Sequence, residues 1–367
     1  MVLVRDSERP QRGAVAAPRT MTLGQIGRDK LECLSHALGL RSAHARRAQE
    51  VFDHLSYGWA HVHAGDGPAW PTDITDEGAP FELSVAFTGS APHVRVLVEN
   101  HLDSGESPWS DGLALNRRLQ QAGLCDLSRF ALIEDLFRPS ASRELAFQLW
   151  HAAVIPESGA PLIKLYVNPR ASDRPALSVV GEAMARLGHA RSWAALQPTL
   201  AQPGNEVLYF SVDLDAGAQA RVKVYVGRND EVENIEHLVR GAVNLVPGQA
   251  SEWIEALSGR RAHFTERPIL ACFAYASADT APMVTLHVPV RCYLGDDAEA
   301  LRRVRPFLSE PDAVSFERAL AALAPAPLER CRGVLTYASL SPKPGRGLSV
   351  TTYLAPKIFA APSELGI

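Results

Sequence analysis

Five pairs of short, alternating segments recur along the 367-residue chain, and this repeat most constrains the fold. In each segment apolar residues occupy every second position, which is the period of a β-strand with one buried face. A short turn containing Gly, Ser, Pro or Asp joins the two members of each pair, as in a β-hairpin. The pairs are residues 80–87 with 93–99, 144–154 with 161–169, 206–214 with 220–227, 268–276 with 283–293, and 333–341 with 347–356.

Segments with helical spacing lie between these hairpins. Their apolar residues recur at three- and four-residue steps, as in "TLGQIGRDKLECLSHALGL", where Thr22 and Gln25 are placed for a capping box. Short hairpin loops favour antiparallel pairing over a doubly wound parallel sheet. The pattern therefore predicts repeated ααββ units in an α+β protein.

Closing the sheet accounts best for so many hairpins. A barrel has no exposed edges, and ten strands leave a lumen wider than side chains alone can fill. We predict a closed antiparallel ten-strand β-barrel ringed by α-helices, as one domain over residues 21–360. Residues 1–20, with their Arg, Pro and Ala, predict a flexible leader. An open sheet with one helical layer is the alternative.

One face of the hairpin strands carries cations together with tyrosine or histidine, and the other face is aliphatic. In "ARVKVYVG", Arg221, Lys223 and Tyr225 alternate with valines, and in "LIKLYVNP" Lys164 and Tyr166 do the same. A single strand of this kind would fit the wet face of an antiparallel sheet. Because the pattern recurs with almost no balancing carboxylate, it predicts a lumen that binds an anion beside a cation-like apolar group.

Composition narrows the range of partners. A net charge of −4 gives no reason to expect nucleic acid or an anionic membrane. The five cysteines are scattered, with no C-x-x-C pair, which argues against a zinc site and favours reduced thiols in a cytoplasmic protein. No apolar run is long enough for a signal peptide or a bilayer span. No glycine motif for a nucleotide lies between a strand and a helix.

Five segments, taken in order, resemble the dimethylallyltryptophan synthase-type aromatic prenyltransferases, here a bacterial member. They are "PFELS", "IKLYVNP", "RVKVYV", "LTYASLS" and "VTTYLAP", and the resemblance runs from about Thr22 to Pro356. It implies the same ten-strand barrel. It also implies transfer of a dimethylallyl group from dimethylallyl diphosphate to the indole ring of L-tryptophan, with release of diphosphate.

The resemblance implies roles for individual residues. Glu82 matches the carboxylate that accepts the indole N–H. His151, or a neighbour, stands where fungal members often place a lysine that removes the final ring proton, so His151 is the first candidate base and Glu82 the second. The diphosphate-binding cations are Arg95, Lys164, Arg221 and Lys223, with Lys343 or Arg346 as the last of the set. The residues that shield the prenyl cation are Tyr166, Tyr225, Tyr353, Tyr337 and His287, the last standing where many members have tyrosine.

No aspartate-rich DDxxD motif for a magnesium–diphosphate complex occurs in the sequence. The adjacent aspartates of "GDDAE", residues 295–299, precede a charged segment and are expected to cap a helix. Arg and Lys in a water-poor lumen can stabilise a leaving diphosphate directly. Activity without Mg²⁺ or any other cofactor is therefore predicted.

Two other functions stay open at this point. The same scaffold would also prenylate a different aromatic acceptor, such as tyrosine, a cyclic dipeptide or an indole alkaloid. A barrel that binds an anionic metabolite without catalysis would equally place Arg, Lys and Tyr on successive strands. Phe273 and Tyr275 are candidates for the residues that close the prenyl pocket.

Overall fold

Ten strands pair edge to edge into a closed antiparallel barrel, which confirms the predicted architecture. The structure is a computed structural model that describes residues 20–65, 67–102, 107–141, 145, 147–276 and 281–359. The strands are β1 (Phe81–Phe87), β2 (His93–Glu99), β3 (Leu149–Ile155), β4 (Leu162–Val167), β5 (Glu206–Asp213), β6 (Val222–Arg228), β7 (Ile269–Tyr275), β8 (Met283–Val288), β9 (Leu335–Lys343) and β10 (Gly347–Leu354). Each strand pairs with its neighbours in the chain, and β1 with β10 closes the barrel.

Helices pack on the outside of this barrel. Thr22 caps the first of them, and it exchanges hydrogen bonds with Gln25 in the predicted capping box. Asp296 caps a later helix by accepting from the backbone N–H of Glu299 at 2.7 Å, as "GDDAE" predicted. The helices are α1 (Leu23–Ala37), α2 (Ser42–Leu55), α3 (Pro108–Gln121), α4 (Ser128–Ala131), α5 (Ala176–Arg186), α6 (Ala190–Leu200), α7 (Val232–Leu238), α8 (Gln249–Ser258), α9 (Val290–Tyr293), α10 (Asp297–Val304) and α11 (Glu310–Leu323).

The hydrophobic core lies between the barrel and the helices. Val222, Val224 and Val226 of β6 are fully buried there, on the strand face opposite the lumen. At β1, the Phe81 ring lies 5.2 Å from that of Phe52 in α2, between ring centroids. Burying each aliphatic side chain stabilises the fold by about 1.5–3 kcal/mol, so this outer layer holds the barrel closed without filling its lumen.

Three expectations about local structure were wrong. Strand β3 begins at Leu149, and residue 144 lies outside the described residues. Strand β8 ends at Val288 because Pro289 has no N–H to donate, and Arg291 in α9 instead pairs with Asp76 at 2.7 Å. Phe273 and Tyr275 face the outer core rather than the prenyl pocket.

Two further expectations concern the predicted leader and the membrane. Of the predicted leader, only residue 20 is described, so that assignment remains a prediction. Within the described ranges, no helix combines the length and the apolar character needed to cross a bilayer.

Candidate active site

Two adjoining chambers occupy the lumen. The cationic chamber has a volume of about 370 Å³ and is lined by Arg and Lys side chains. The aromatic chamber, about 120 Å³, is lined by Trp, Tyr and Leu together with Glu82. Four residues line both chambers and form the wall between them, here called the ring layer: Tyr166, Tyr225, His287 and Tyr353.

This layering follows from the strand period. Two residues advance the chain about 6.5 Å along a strand and return the side chain to the same face. Because neighbours are antiparallel, the even-numbered strands all run in one direction. Lys164 therefore precedes Tyr166 on β4, and Lys223 precedes Tyr225 on β6 at the same depth. The repeated Lys-x-Tyr order thus places cations in one layer and rings in the next.

A buried carboxylate, Asp213 on β5, organises the cations. Its Oδ2 accepts from Arg221 Nε at 3.0 Å, and its Oδ1 lies 3.3 Å from Lys223 Nζ. Burial raises the pKa of Asp213, but the charges of Lys223, Lys164 and Arg221 outweigh it and hold that pKa below its usual range. The expectation of almost no balancing carboxylate was wrong here. The sequence does indicate this carboxylate, because Asp213 follows the lumen-facing Tyr209 by four residues in β5 and so lies on the same strand face.

The cationic chamber nevertheless carries excess positive charge. Burial, together with the neighbouring Lys223 and Arg95, lowers the pKa of Lys164 well below its ordinary value. Burial, and then Arg221, lowers the pKa of Lys343 to about 8. Arg95, Lys164, Arg221, Lys223 and Lys343 all line this chamber. Such crowding favours a bound polyanion, which would restore charge balance.

Arg346 does not belong to this set. It is exposed in the turn between β9 and β10, beside a groove outside the barrel that Phe307 and Ser309 also line. Lys343, three residues earlier and still on β9, is the cation that lines the lumen. The prediction of Arg346 was wrong because the turn carries it out of the sheet.

The ring layer presents aromatic surfaces to both chambers. The Tyr225 hydroxyl donates to that of Tyr166 at 3.4 Å. Ring centroids are 5.8 Å apart for Tyr225 and His287, and 5.7 Å apart for His287 and Tyr353. Burial raises the pKa of all three tyrosines, so their phenols stay protonated. Each ring can stabilise a cation by about 0.5–2 kcal/mol.

Glu82 is the carboxyl group of the aromatic chamber. It is 8% exposed, and Thr336 Oγ1 donates to its Oε1 at 2.8 Å. Burial raises the pKa of Glu82 to about 8. Tyr337 lines the same chamber but not the cationic one, with its ring 6.3 Å from that of Tyr353. A hydrogen-bond acceptor therefore lies within an otherwise largely aromatic space.

The structure places His151 outside the lumen. Strand alternation turns Trp150 into the aromatic chamber and His151 toward α3, where its Nε2 lies 2.8 Å from Asn116 Oδ1. Burial lowers the pKa of His151 to about 3. His151 is therefore a core histidine, and its prediction as the base was wrong. Its neighbour Trp150 lines the aromatic chamber, a position that the sequence pattern did not assign to it by name.

Arg267 also lines the aromatic chamber without having been predicted. It lies just before β7, and its Nη2 is 2.5 Å from Asp76 Oδ1. Asp73 lines the same chamber from the loop before β1. These residues lie outside the strands, so the period-two pattern that identified the other lumen residues does not apply to them.

A closed barrel with a cationic chamber behind a ring of aromatic residues defines an aromatic prenyltransferase. The family model described as tryptophan dimethylallyltransferase matches residues 47–319, and the chain belongs to that family. The resemblance seen in the sequence is thereby confirmed.

Solved structures give the same result. The chain is similar to 6-dimethylallyltryptophan synthase from Micromonospora olivasterospora, solved with DMASPP and Trp, at 26% identity and TM-score 0.83, covering 93% of this chain and 99% of that one. It is similar to 5-dimethylallyl tryptophan synthase from Streptomyces coelicolor at 27% identity and TM-score 0.84, covering 93% and 97%. The prenyltransferase PriB, solved with L-tryptophan and dimethylallyl thiolodiphosphate, is 30% identical at TM-score 0.82, covering 93% and 98%.

The role of Asp213 gives a testable prediction. Asp213→Asn keeps the side-chain shape but removes the negative charge, so we expect the free energy of unfolding to fall by about 3–5 kcal/mol. Inorganic diphosphate should then raise the melting temperature more in the variant than in the wild type, because it replaces the missing charge. Thermal melts with and without diphosphate measure both effects.

The matched control is Asp215→Asn, since Asp215 is exposed just beyond the end of β5. It should behave as the wild type does. An Asp213→Asn protein that diphosphate stabilises no more than the wild type would contradict the charge-balancing role.

Proposed function

We propose that this protein transfers a dimethylallyl group from dimethylallyl diphosphate to the indole ring of L-tryptophan and releases diphosphate. The observation that carries the proposal is the order of the lumen: five cations, then the ring layer, then Glu82. This order matches the parts of the reaction, which are an anionic leaving group, a carbocation and an aromatic nucleophile with an N–H. One solved relative was crystallised with DMASPP and Trp, and another with L-tryptophan and dimethylallyl thiolodiphosphate.

The first step is cleavage of the allylic C–O bond. Its electron pair goes to the diphosphate oxygen, so negative charge develops where Arg95, Lys164, Arg221, Lys223 and Lys343 line the cationic chamber. Charge-assisted hydrogen bonds from fixed donors stabilise that charge more strongly in a buried site than in water. Arg supplies a planar fork to the phosphate oxygens, and Lys supplies a compact charge.

The allyl cation then faces the ring layer. Tyr166, Tyr225 and Tyr353 offer aromatic faces that attract it, and they exclude water that would convert it to an alcohol. Their protonated phenols are poor nucleophiles toward it. The indole π-electrons form the new C–C bond from the side of the aromatic chamber.

Glu82 orients the acceptor. As a carboxylate it accepts a hydrogen bond from the indole N–H, and it strengthens that bond as positive charge develops on the ring. Trp150 and Tyr209 provide flat surfaces for the indole, with their ring centroids 5.8 Å apart. An indole is thus favoured over an acceptor that has neither an N–H nor an O–H to donate.

Charged groups in the aromatic chamber favour a free amino acid. Arg267 can pair with the α-carboxylate, and Asp73 can pair with the α-ammonium group. A cyclic dipeptide or a neutral alkaloid presents neither charge. L-Tryptophan can therefore pair with more of the charged groups of the chamber than those alternatives can. Tyrosine can pair with Arg267 and Asp73 but has no indole N–H for Glu82.

The reaction as proposed needs no metal ion. Among the described residues no three His, Cys, Asp or Glu side chains are grouped so that they could bind one. The cations of the cationic chamber supply the positive charge that a metal would bring to diphosphate. The five cysteines are free thiols, which fits the reducing cytoplasm as the place of action.

Product analysis tests the proposal. The purified protein is incubated with L-tryptophan, dimethylallyl diphosphate and EDTA, and the mixture is analysed by mass spectrometry and NMR. We expect tryptophan carrying one five-carbon unit on a ring position that NMR assigns. If prenylated product forms only from tyrosine or a cyclic dipeptide, that compound and not L-tryptophan is the acceptor. Diphosphate binding without any product, with or without Mg²⁺, would favour a non-catalytic binding barrel.

Glu82→Gln should lower turnover about 100-fold or more, because an amide is a weaker acceptor for the indole N–H. Since the pKa of Glu82 is raised to about 8, half of the protein molecules carry the carboxylate at that pH, and the fraction keeps increasing until about one unit above it. At saturating dimethylallyl diphosphate, which keeps Lys343 charged, kcat/KM for tryptophan should rise from about pH 6, reach half of its maximum near the pKa of about 8, and level off about one unit above that pKa. Steady-state kinetics across this range in wild type and variant measure both effects.

Glu77→Gln is the matched control. Glu77 is also buried, with its pKa raised to about 7 by burial, but it accepts from the backbone N–H of Lys357 and Phe359 outside the lumen. We expect kcat/KM of the Glu77→Gln variant to rise with pH as it does in the wild type. A Glu82→Gln enzyme that keeps both the rise and full turnover would remove Glu82 from the site.

A further inference from the structure

The reaction requires a base at a defined place. After the C–C bond forms, the attacked ring carbon still carries its hydrogen, and aromaticity returns only when that proton leaves. The same carbon has just bonded to the allyl cation, so it lies against the ring layer, where the two chambers meet. A base must reach that boundary within hydrogen-bonding distance.

His287 occupies this boundary. It lines both chambers, and it is 8% exposed with its ring between those of Tyr225 and Tyr353. No described protein group forms a hydrogen bond with either ring nitrogen. A neutral imidazole has one nitrogen with a free lone pair, and here that nitrogen has no competing donor within the described chain.

We propose that His287 is the catalytic base that removes the ring proton after prenyl transfer. The inference rests on the proposed function and adds to it the residue that completes the reaction. The C–H electrons return to the ring, the proton passes to the imidazole nitrogen, and the imidazolium then gives it to the released diphosphate. Prenylated tryptophan and protonated diphosphate balance the two substrates.

Glu82, His93 and the tyrosines of the ring layer are less suited to this step. Glu82 lines only the aromatic chamber and is engaged by Thr336 and, in the proposed complex, by the indole N–H. His93 lines only the cationic chamber. The tyrosines of the ring layer hold their protons, since burial raises the pKa of each phenol.

The surroundings of His287 keep its imidazole neutral, so that it can accept a proton. Burial, then Arg95 and Lys223, lower the pKa of His287 to about 3 in the protein alone, so the imidazole is neutral at physiological pH. Bound diphosphate offsets the charges of Arg95 and Lys223 and makes the imidazole more basic. The base thus gains strength from the leaving group of the same reaction.

His287→Phe tests the proposal because it keeps an aromatic ring and removes the base. We expect turnover to fall about 100-fold or more, with inorganic diphosphate still bound. With ring-deuterated L-tryptophan, a primary isotope effect on kcat should appear in the variant and be absent or small in the wild type, since proton removal becomes slow. Tyr353→Phe, a matched change in the same layer, should show no such increase.

Chemical rescue gives a second measurement. His287→Ala opens space at the boundary, and added imidazole should restore part of its turnover, whereas Tyr353→Ala should not respond. A His287→Phe enzyme with wild-type turnover and no isotope effect would overturn the proposal and leave His287 a shielding ring. A wild-type enzyme that makes no prenylated tryptophan would instead overturn the proposed function, and this inference with it.

Discussion

Buried positive charge without full compensation is the constraint on which this structure depends. Five Lys and Arg side chains line one chamber of the barrel, and Asp213 balances only part of their charge. Removing such charges from water is costly, and a partner that brings several negative charges recovers the cost. The lumen is therefore suited to bind diphosphate, because an anion would complete its charge balance. In the proposed reaction, the ring layer beside these cations receives the carbocation that the departing anion leaves behind.

Strand direction arranges the lumen side chains in layers. All even-numbered strands run the same way, so residues at equal depth form layers across the lumen. The cationic chamber, the ring layer and the aromatic chamber follow one another along the line that the dimethylallyl group travels in the proposed reaction. The apolar outer faces, packed on helices, hold these layers rigid without occupying the lumen. A site built on strands in this way keeps its side chains oriented before substrate arrives.

Sequence pattern predicted most of this arrangement, because a period of two determines both the strand and the lumen-facing residue. Lys164, Tyr166, Lys223 and Tyr225 are clear from the sequence for that reason. His151 was misplaced since it adjoins Trp150 within one strand, and a shift of one residue reverses the face.

The other residues that the sequence pattern did not place correctly lie beyond the ends of strands or interact with several charges at once. Arg346 lies in a turn and Arg267 just before a strand, so alternation says nothing about their direction. The strand pattern does not single out Asp213, because its importance depends on three cations from two other strands and the end of a loop. Contacts of that kind follow from the closed barrel and not from any one segment.

A crystal structure with dimethylallyl thiolodiphosphate and L-tryptophan would test the central claim most directly. We predict that the diphosphate lies among Arg95, Lys164, Arg221, Lys223 and Lys343, with the dimethylallyl group against the ring layer. We also predict that the indole N–H lies within hydrogen-bonding distance of Glu82. Diphosphate bound outside the cationic chamber, or an indole on the same side of the ring layer as the diphosphate, would contradict it.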